Sequence, residues 1–319
     1  MPHFPGEARL PSMKYWLCGF ISIGLWAAEP AGEAAKKPAE AQPYLRFEEK
    51  PKGAALEVGV IRLQHKETGA VVDLVGAVHI GDAAYYQQLN KEFKAYEAVL
   101  YEMVKPAKLD PAQFQNRPPS SVGMMQTFMQ KQLDLAYQLD EVDYTAKNFV
   151  HADMTVKQFR KRQEARGESM FKLMFKLMKE DMARRANKKK GADISSAELL
   201  RALLNPNRSV ELKYLLARQF NEMERLTAGL NDEKGSVILT DRNKVALKVL
   251  NRELAAGKKK LAIFYGAAHL PDLEERMVEK MGFERKATRW VTAWKLPERV
   301  ELKKPNTPKR SQPPSTVNQ

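Results

Sequence analysis

The sequence predicts an α/β fold, with a mixed, largely parallel sheet, flanking helices and a helical insertion. Apolar runs of strand length alternate with helical patterns near both ends of the chain, which is typical of parallel β-α-β units. The chain has 319 residues, 44% of them hydrophobic and 29% charged, which is enough to bury a substantial core. We therefore expect one α/β domain over residues 44–300, interrupted by the helical insertion at about 106–230.

The first predicted elements are two strands, a helix and a third strand. Residues 56–63 and 70–75 are rich in β-branched and apolar side chains, and the turn 66–69 between them predicts a hairpin. Asp82 then stands where it would cap a helix. The apolar face of this helix would be formed by Tyr85, Leu89, Phe93 and Tyr96. With another strand at 98–103, these elements predict a β-α-β unit with parallel strands.

Helical patterns dominate from about residue 106 to residue 229. Within them, the segment 157–190 carries 13 Lys and Arg against 4 Asp and Glu, a large part of the formal net charge of +14. The same segment has an apolar stripe formed by Met170, Phe171, Met174, Phe175, Met178 and Met182. The charge is typical of a solvated helix face, and the stripe of a core. The alternative is an amphipathic helix that contacts an anionic membrane or cell-wall surface, whereas no specific nucleic acid is expected.

The α/β pattern resumes at Asp241, which is expected to begin a helix. A buried-type strand follows at 260–265, and then a helix opened by Pro271, a residue that the first turn of a helix accepts. The last predicted strand is 290–294, where large and small side chains alternate. The Pro- and Lys-rich tail, 301–319, is expected to be disordered.

Residues 1–28 predict a targeting segment. A basic residue precedes an apolar run shorter than the roughly 20 residues of a membrane span, which favours a secretory signal peptide over an uncleaved anchor. Residues 29–43, rich in Ala, Pro, Glu and Lys, predict a flexible linker. We therefore expect an exported protein, in the periplasm or at the cell surface. The only cysteine, Cys18, lies in the targeting segment, so the mature chain would have no thiol for a disulfide or a nucleophile.

Two of the predicted strands run into a Gly-x-x-His turn. Gly76 and His79 follow the second strand, and Gly266 and His269 follow the strand at 260–265. In parallel α/β sheets, ligands bind outside the carboxyl ends of strands, where the chain turns towards a helix. Each glycine would let the backbone turn tightly beside such a site. A single strand-end histidine is usually structural, but the same context occurring twice among five histidines favours a shared functional site.

Glu102 lies near the carboxyl end of the intervening strand and would point to the same edge. The imidazoles of His79 and His269 and this carboxylate form a ligand set suited to a divalent metal that keeps one position open for water. Glu102 could instead act as the general base, and the sequence does not separate the two roles.

The helix that follows Asp241 begins with Arg242 and Asn243. The guanidinium of Arg242 could hold a substrate carboxylate or stabilise an oxyanion. In the structural alternative, Asp241 caps the helix and Arg242 is solvated. His151 would line the pocket from the insertion, and its neighbour Asp153 is expected to cap the basic helix. Substrate contacts are assigned to Gly76, Gly266, Asn243 and His151.

Several catalytic classes lack their motifs. The sequence has no Gly-x-Ser-x-Gly elbow, so a serine hydrolase is not favoured. It also has no P-loop and no Gly-x-Gly-x-x-Gly fingerprint, so nucleotide cofactors are not favoured.

Four short segments resemble, in the same order, motifs of the TraB/PrgY/GumN family, which is related to the Tiki proteases and to the ChaN and erythromycin-esterase-like proteins. They are 74–79 (LVGAVH), 99–102 (VLYE), 241–243 (DRN) and 265–270 (YGAAHL). The resemblance covers roughly residues 55–295, with a variable helical section between the second and third segments. The sequence departs from the family's acidic pattern after the glutamate, where it has Met103, Val104 and Lys105.

The resemblance implies an α/β fold with the two histidines, Glu102 and Arg242 around one site. In the Tiki branch it implies metal-dependent peptide cleavage, with manganese or cobalt as the supporting ion and zinc as an alternative. In TraB and PrgY it implies interference with a peptide pheromone, and in ChaN haem binding. We therefore expect an exported, metal-dependent hydrolase, a peptidase with a peptide or protein substrate. The alternatives are a non-catalytic haem- or peptide-sequestering protein and a membrane-surface interaction protein.

Overall fold

The computed structural model describes residues 44–109, 132–167, 194, 196–227 and 236–299. The predicted targeting segment, the linker and the tail lie outside the described residues. So do the apolar stripe of the insertion and the larger part of the basic segment 157–190. Predictions for those regions stay predictions.

The described strands form one seven-stranded sheet and one two-stranded pair. In chain order they are β1 (Leu45–Lys50), β2 (Gly53–His65), β3 (Val71–Ala77), β4 (Ile80–Gly81), β5 (Ala98–Tyr101), β6 (Ala136–Tyr137), β7 (Phe149–His151), β8 (Lys260–Gly266) and β9 (Phe283–Leu296). The large sheet has the order β1-β2-β3-β8-β5-β7, and β9 also pairs with β2. Neighbours from β3 to β7 are parallel, whereas β2 is antiparallel to β1, β3 and β9. The predicted mixed, largely parallel sheet is confirmed.

The helices lie on both faces of this sheet. In the described part of the chain they are α1 (Ala83–Phe93), α2 (Gln138–Glu141), α3 (Val156–Arg166), α4 (Ser196–Leu204), α5 (Arg208–Thr227), α6 (Arg242–Ala255) and α7 (Leu270–Lys280). A π-helical turn, Val237–Asp241, leads into α6, and a 3-10 turn, Ala267–His269, leads into α7. None of the described helices is long and apolar enough to cross a membrane.

Alternate residues of β8 divide the hydrophobic core between the two faces. Ala262 and Phe264 belong to a cluster that includes side chains of α1 and α5, whereas Leu261, Ile263 and Tyr265 belong to a cluster with α6 and α7. Because both faces are covered, the strand is apolar from Leu261 to Tyr265 rather than alternating. Burying a side chain such as Ile263, which is fully buried, stabilises the fold by about 2 kcal/mol.

The predicted hairpin is confirmed and is longer than expected. Residues 60–64 of β2 pair with residues 71–75 of β3. Gly69 closes the turn with φ at +68°, a left-handed conformation that favours glycine. β2 starts three residues before the predicted strand because its first half pairs with β1 and its whole length with β9.

β8 lies between β3 and β5, and its pairing with them shows where the two strands end relative to each other. Ala77 of β3 is opposite Gly266 of β8, and Tyr101 of β5 is opposite Phe264. The carboxyl ends of three parallel strands therefore meet at one edge of the sheet.

Three local predictions were wrong. The chain is not only helical from 106 to 229, because β7 joins the main sheet parallel to β5. Asp82 occupies the N-cap position of α1, but its carboxylate accepts a hydrogen bond from the backbone N–H of Lys295 at 2.6 Å instead of capping the helix. Asp153 does not cap α3; Thr155 does so, through a capping box.

Candidate active site

Three strand ends bring predicted site residues to one edge of the sheet. β3 is followed closely by His79, β8 by the 3-10 turn that ends at His269, and β5 directly by Glu102. Because these strands are parallel neighbours, their carboxyl ends lie side by side. This is the edge at which open α/β sheets bind their ligands.

Glu102 links several elements at this edge. Its Oε1 accepts a hydrogen bond from Nη2 of Arg242 at 2.6 Å, and its Oε2 accepts one from the backbone N–H of Gly266 at 2.6 Å. Oε1 also lies 3.5 Å from Nε2 of His269. One carboxylate therefore joins the start of α6 to the turn after β8.

Glu102 is ionised at neutral pH. Burial opposes its ionisation, but the guanidinium of Arg242 and the nearby imidazoles of His269 and His79 outweigh burial and hold the pKa of this carboxyl well below its usual value.

Arg242 is buried between two carboxylates. Besides Glu102, it contacts Asp153, to which Nε donates at 3.0 Å and 3.2 Å and Nη2 at 2.5 Å. Burial favours the neutral guanidine, yet the charges of Glu102 and Asp153 raise the pKa of Arg242 above its usual value. With 7% of its surface exposed, Arg242 is not the solvated side chain of the structural alternative.

Asp241 attaches the basic helix α3 to the residues beside the site. Its buried carboxylate accepts a hydrogen bond from Nη2 of Arg166 at 3.0 Å and lies 3.3 Å from Nη1 of Arg162. It makes no capping hydrogen bond to α6, so the capping role of the structural alternative is not observed. Two arginines of segment 157–190 thus have a partner within the protein.

His269 is fully buried, and its ring contacts the side-chain amide of Asn243. Its Nδ1 lies 2.7 Å from Oδ1 of Asn243, and its Nε2 has no hydrogen-bond partner among the described residues. Asn243 is also fully buried. Its Nδ2 donates to the carbonyl oxygen of His269 at 3.2 Å and to Oδ2 of Asp272 at 2.8 Å. The oxygen and the nitrogen of the Asn243 amide thus both have hydrogen-bond partners within the protein.

His79 is partly buried and is held by the first residue of α2. Its Nδ1 lies 3.3 Å from Oε1 of Gln138, and its carbonyl oxygen accepts the backbone N–H of Gln138 at 2.9 Å. Nε2 of Gln138 donates to the hydroxyl of Tyr144 at 2.7 Å. The insertion therefore contributes directly to the surroundings of one turn histidine.

The two glycines serve purposes other than the tight turn that was expected. Neither has a positive φ. A Cβ on Gly76 would lie 2.3 Å from Cγ1 of Val58, so this position requires glycine for close packing of β3 against β2. Gly266 donates its backbone N–H to Glu102.

His151 is held by β5. Its Nε2 donates to the carbonyl oxygen of Met103 at 2.7 Å, and its ring packs against that of Tyr101 with centroids 5.6 Å apart. Burial lowers the pKa of His151 below its usual value. These contacts are with backbone and an aromatic ring.

Sequence reasoning missed three residues around the site. Asp153, interpreted as a helix cap, is the main partner of Arg242. Gln138 gave no signal, because it lies in an insertion without a motif. Asp272 stands three residues after His269, and an acidic residue in the first turn of α7 was a signal that could have been noticed.

The chemistry of the site rests on its own residues, because no protein-family model matches the chain and no curated protein sequence matches it significantly. Among the described residues, no group of three or more His, Cys, Asp or Glu side chains is arranged to hold a metal ion. Two expected ligands nevertheless meet, since Nε2 of His269 lies 3.5 Å from Oε1 of Glu102. This pair suits a divalent cation.

Proposed function

We propose that this protein is an exported, metal-dependent hydrolase, a peptidase of the TraB/PrgY/GumN type. The observation that carries the proposal is the buried pair of His269 and Glu102. Nε2 of His269 lies 3.5 Å from Oε1 of Glu102 and has no hydrogen-bond partner among the described residues. Leaving a buried polar atom unpaired costs about 1–3 kcal/mol, and such atoms in native proteins call for an explanation, such as a catalytic role or a bound ion.

A bound divalent cation would supply Lewis-acid polarisation of a peptide carbonyl and would make a water molecule more acidic. His79, His269 and Glu102 are the residues that would hold it, with manganese or cobalt as the proposed ion and zinc as an alternative.

The remaining catalytic roles would be those of Glu102 and Arg242. Ionised Glu102 can accept a proton from the attacking water if it is not itself a ligand. Arg242 would stabilise negative charge that develops on the carbonyl oxygen. Asp153 holds the guanidinium in one orientation, so Arg242 is positioned before substrate arrives.

The test is the metal content and metal-stimulated peptidase activity of the full-length protein, measured for wild type, His79→Ala and His269→Ala. We expect wild type to bind manganese or cobalt and to cleave members of a peptide library, and each variant to lose both properties. His65→Ala is the matched control, because His65 ends β2 at the opposite end of the strands. It should keep both properties.

Wild type that is inert and free of metal, with both variants folded, would contradict the proposal. A haem titration then tests the sequestering alternative, in which a Soret band should appear with wild type and be weakened by His79→Ala or His269→Ala.

A further inference from the structure

The four described histidines differ in what lies beside Nδ1 of the ring. His65 accepts hydrogen bonds at Nδ1 from the backbone N–H groups of Glu67 and Thr68, both at 3.2 Å, so its proton is on Nε2. His151 donates from Nε2 to a backbone carbonyl, so its proton is there as well. Each turn histidine instead has a side-chain amide oxygen beside Nδ1.

For His269 the orientation of the amide is fixed. Nδ2 of Asn243 faces two groups that can only accept, the carbonyl oxygen of His269 and the carboxylate of Asp272. Arg276 holds that carboxylate with two hydrogen bonds, at 2.9 Å and 2.8 Å. Flipping the amide would place its oxygen against both acceptors. Oδ1 therefore faces Nδ1 of His269, which must be the donor.

For His79 the same arrangement comes from a different part of the chain. Oε1 of Gln138 lies beside Nδ1 of His79, while Nε2 of Gln138 donates to Tyr144. The backbone N–H of Gln138 is bonded to the carbonyl oxygen of His79, which keeps the two residues in register. Gln138 is buried, and the hydroxyl of Tyr144 accepts its N–H in the arrangement that directs the amide oxygen at His79.

We propose that Gln138 and Asn243 are positioning residues that keep the proton of His79 and of His269 on Nδ1. Each Nε2 then carries a lone pair, as a metal ligand or a proton acceptor requires. Asp272, held by Arg276, fixes the second amide. The purpose of this arrangement rests on the proposed function, but the protonation pattern does not. Outer groups of this kind commonly contribute 10–100-fold to metal affinity.

The pattern can be read by nuclear magnetic resonance. Full-length protein with 15N-labelled histidine, treated with chelator, is studied in alkaline buffer in which the rings are neutral. Resonances are assigned from single His→Gln variants. We expect His79 and His269 to carry their proton on Nδ1, and His65 and His151 to carry it on Nε2 as an internal reference.

Two variants make the assignment of roles specific. Gln138→Met should move protons to Nε2 of His79 and leave His269 unchanged. Asp272→Leu should move the proton of His269 to Nε2 and leave His79 unchanged. Glu279→Gln, an exposed position of the same helix α7, is the control and should change neither ring. We also expect Asp272→Leu to weaken metal binding about 10-fold by calorimetry.

The proposal is overturned if wild type carries the proton on Nε2 of either turn histidine, a result that needs no variant to fold. It is also overturned if Gln138→Met and Asp272→Leu both give the wild-type spectrum. Wild type that shows the expected protonation pattern but binds no metal would instead remove the proposed function and leave the role of the two amides intact.

Discussion

Asp153 and Arg242 are 89 residues apart in the sequence and form a buried pair with hydrogen bonds of 2.5 Å, 3.0 Å and 3.2 Å. The pair joins the chain after β7, an edge strand within the insertion, to the start of α6 in the C-terminal half. A guanidinium held in this way cannot follow a mobile substrate. It presents a fixed charge instead.

Asp153→Asn should lower the free energy of unfolding by about 3 kcal/mol, because it leaves the buried charge of Arg242 without its main partner. Urea denaturation followed by circular dichroism measures the change. Glu164→Gln, an exposed carboxylate on α3, should stay within about 0.5 kcal/mol of wild type. Equal effects of the two substitutions would mean that the pair contributes little to stability.

Glu102→Gln should reduce peptidase activity by about 10²–10⁴-fold, the usual contribution of a general acid or base. Metal content decides between its two roles. If the variant keeps its metal, Glu102 is the base; if the metal is lost, it is a ligand. Glu67→Gln in the hairpin turn is the control, and unchanged activity in Glu102→Gln would exclude both roles.

Gly76→Ala should destabilise the protein by about 2 kcal/mol through overpacking, since the new Cβ would meet Cγ1 of Val58 at 2.3 Å. The double variant Val58→Ala/Gly76→Ala makes room for that methyl group. Its loss of stability should be smaller than the sum of the two single losses by about 1 kcal/mol. Strict additivity would show that the backbone moves aside instead.

His151→Gln should flatten the dependence of stability on pH below 6.5, the usual pKa of histidine. Because burial lowers the pKa of His151 in the folded protein, the unfolded chain takes up a proton first as the pH falls. Wild type therefore loses stability below pH 6.5 until the folded pKa is passed. Gln keeps a donor for the carbonyl of Met103 and does not titrate. Urea denaturation at several pH values below 6.5 measures the free energy of unfolding of both proteins. If that free energy falls equally steeply with pH in wild type and His151→Gln, His151 does not contribute to the pH dependence.

The elements that could be predicted are those whose pattern is local. The hairpin, α1, β8 and α7 follow from apolar periodicity and from turn residues or a first-turn proline, and the two Gly-x-x-His turns indicated the edge at which the candidate site lies. The final strand, predicted at 290–294, spans Phe283–Leu296 in the structure because it pairs along the whole of β2. That pairing is a long-range interaction that no window of sequence contains.

Residues whose role depends on a distant partner were interpreted wrongly or missed. Asp82 and Asp153 both stand near helix starts, so local reasoning made them caps, yet their partners come from elsewhere in the chain. The π-helical turn before Arg242 also has no sequence signal, because its five residues fit an ordinary helix start. Which carboxylate meets which cation is decided by the tertiary fold.

The position of β8 between β3 and β5 has a consequence for how the chain is made. When synthesis has reached Ala255, both outer strands are complete, but the strand that belongs between them is still to come, and so is β9, the long partner of β2. At that stage the edges of β3 and β5 that pair with β8 have no partner, and His269 has not yet been made. Pairings between segments so far apart form slowly, and exposed edges invite association with other chains. The large sheet of this protein can thus be completed only after β9 has been made.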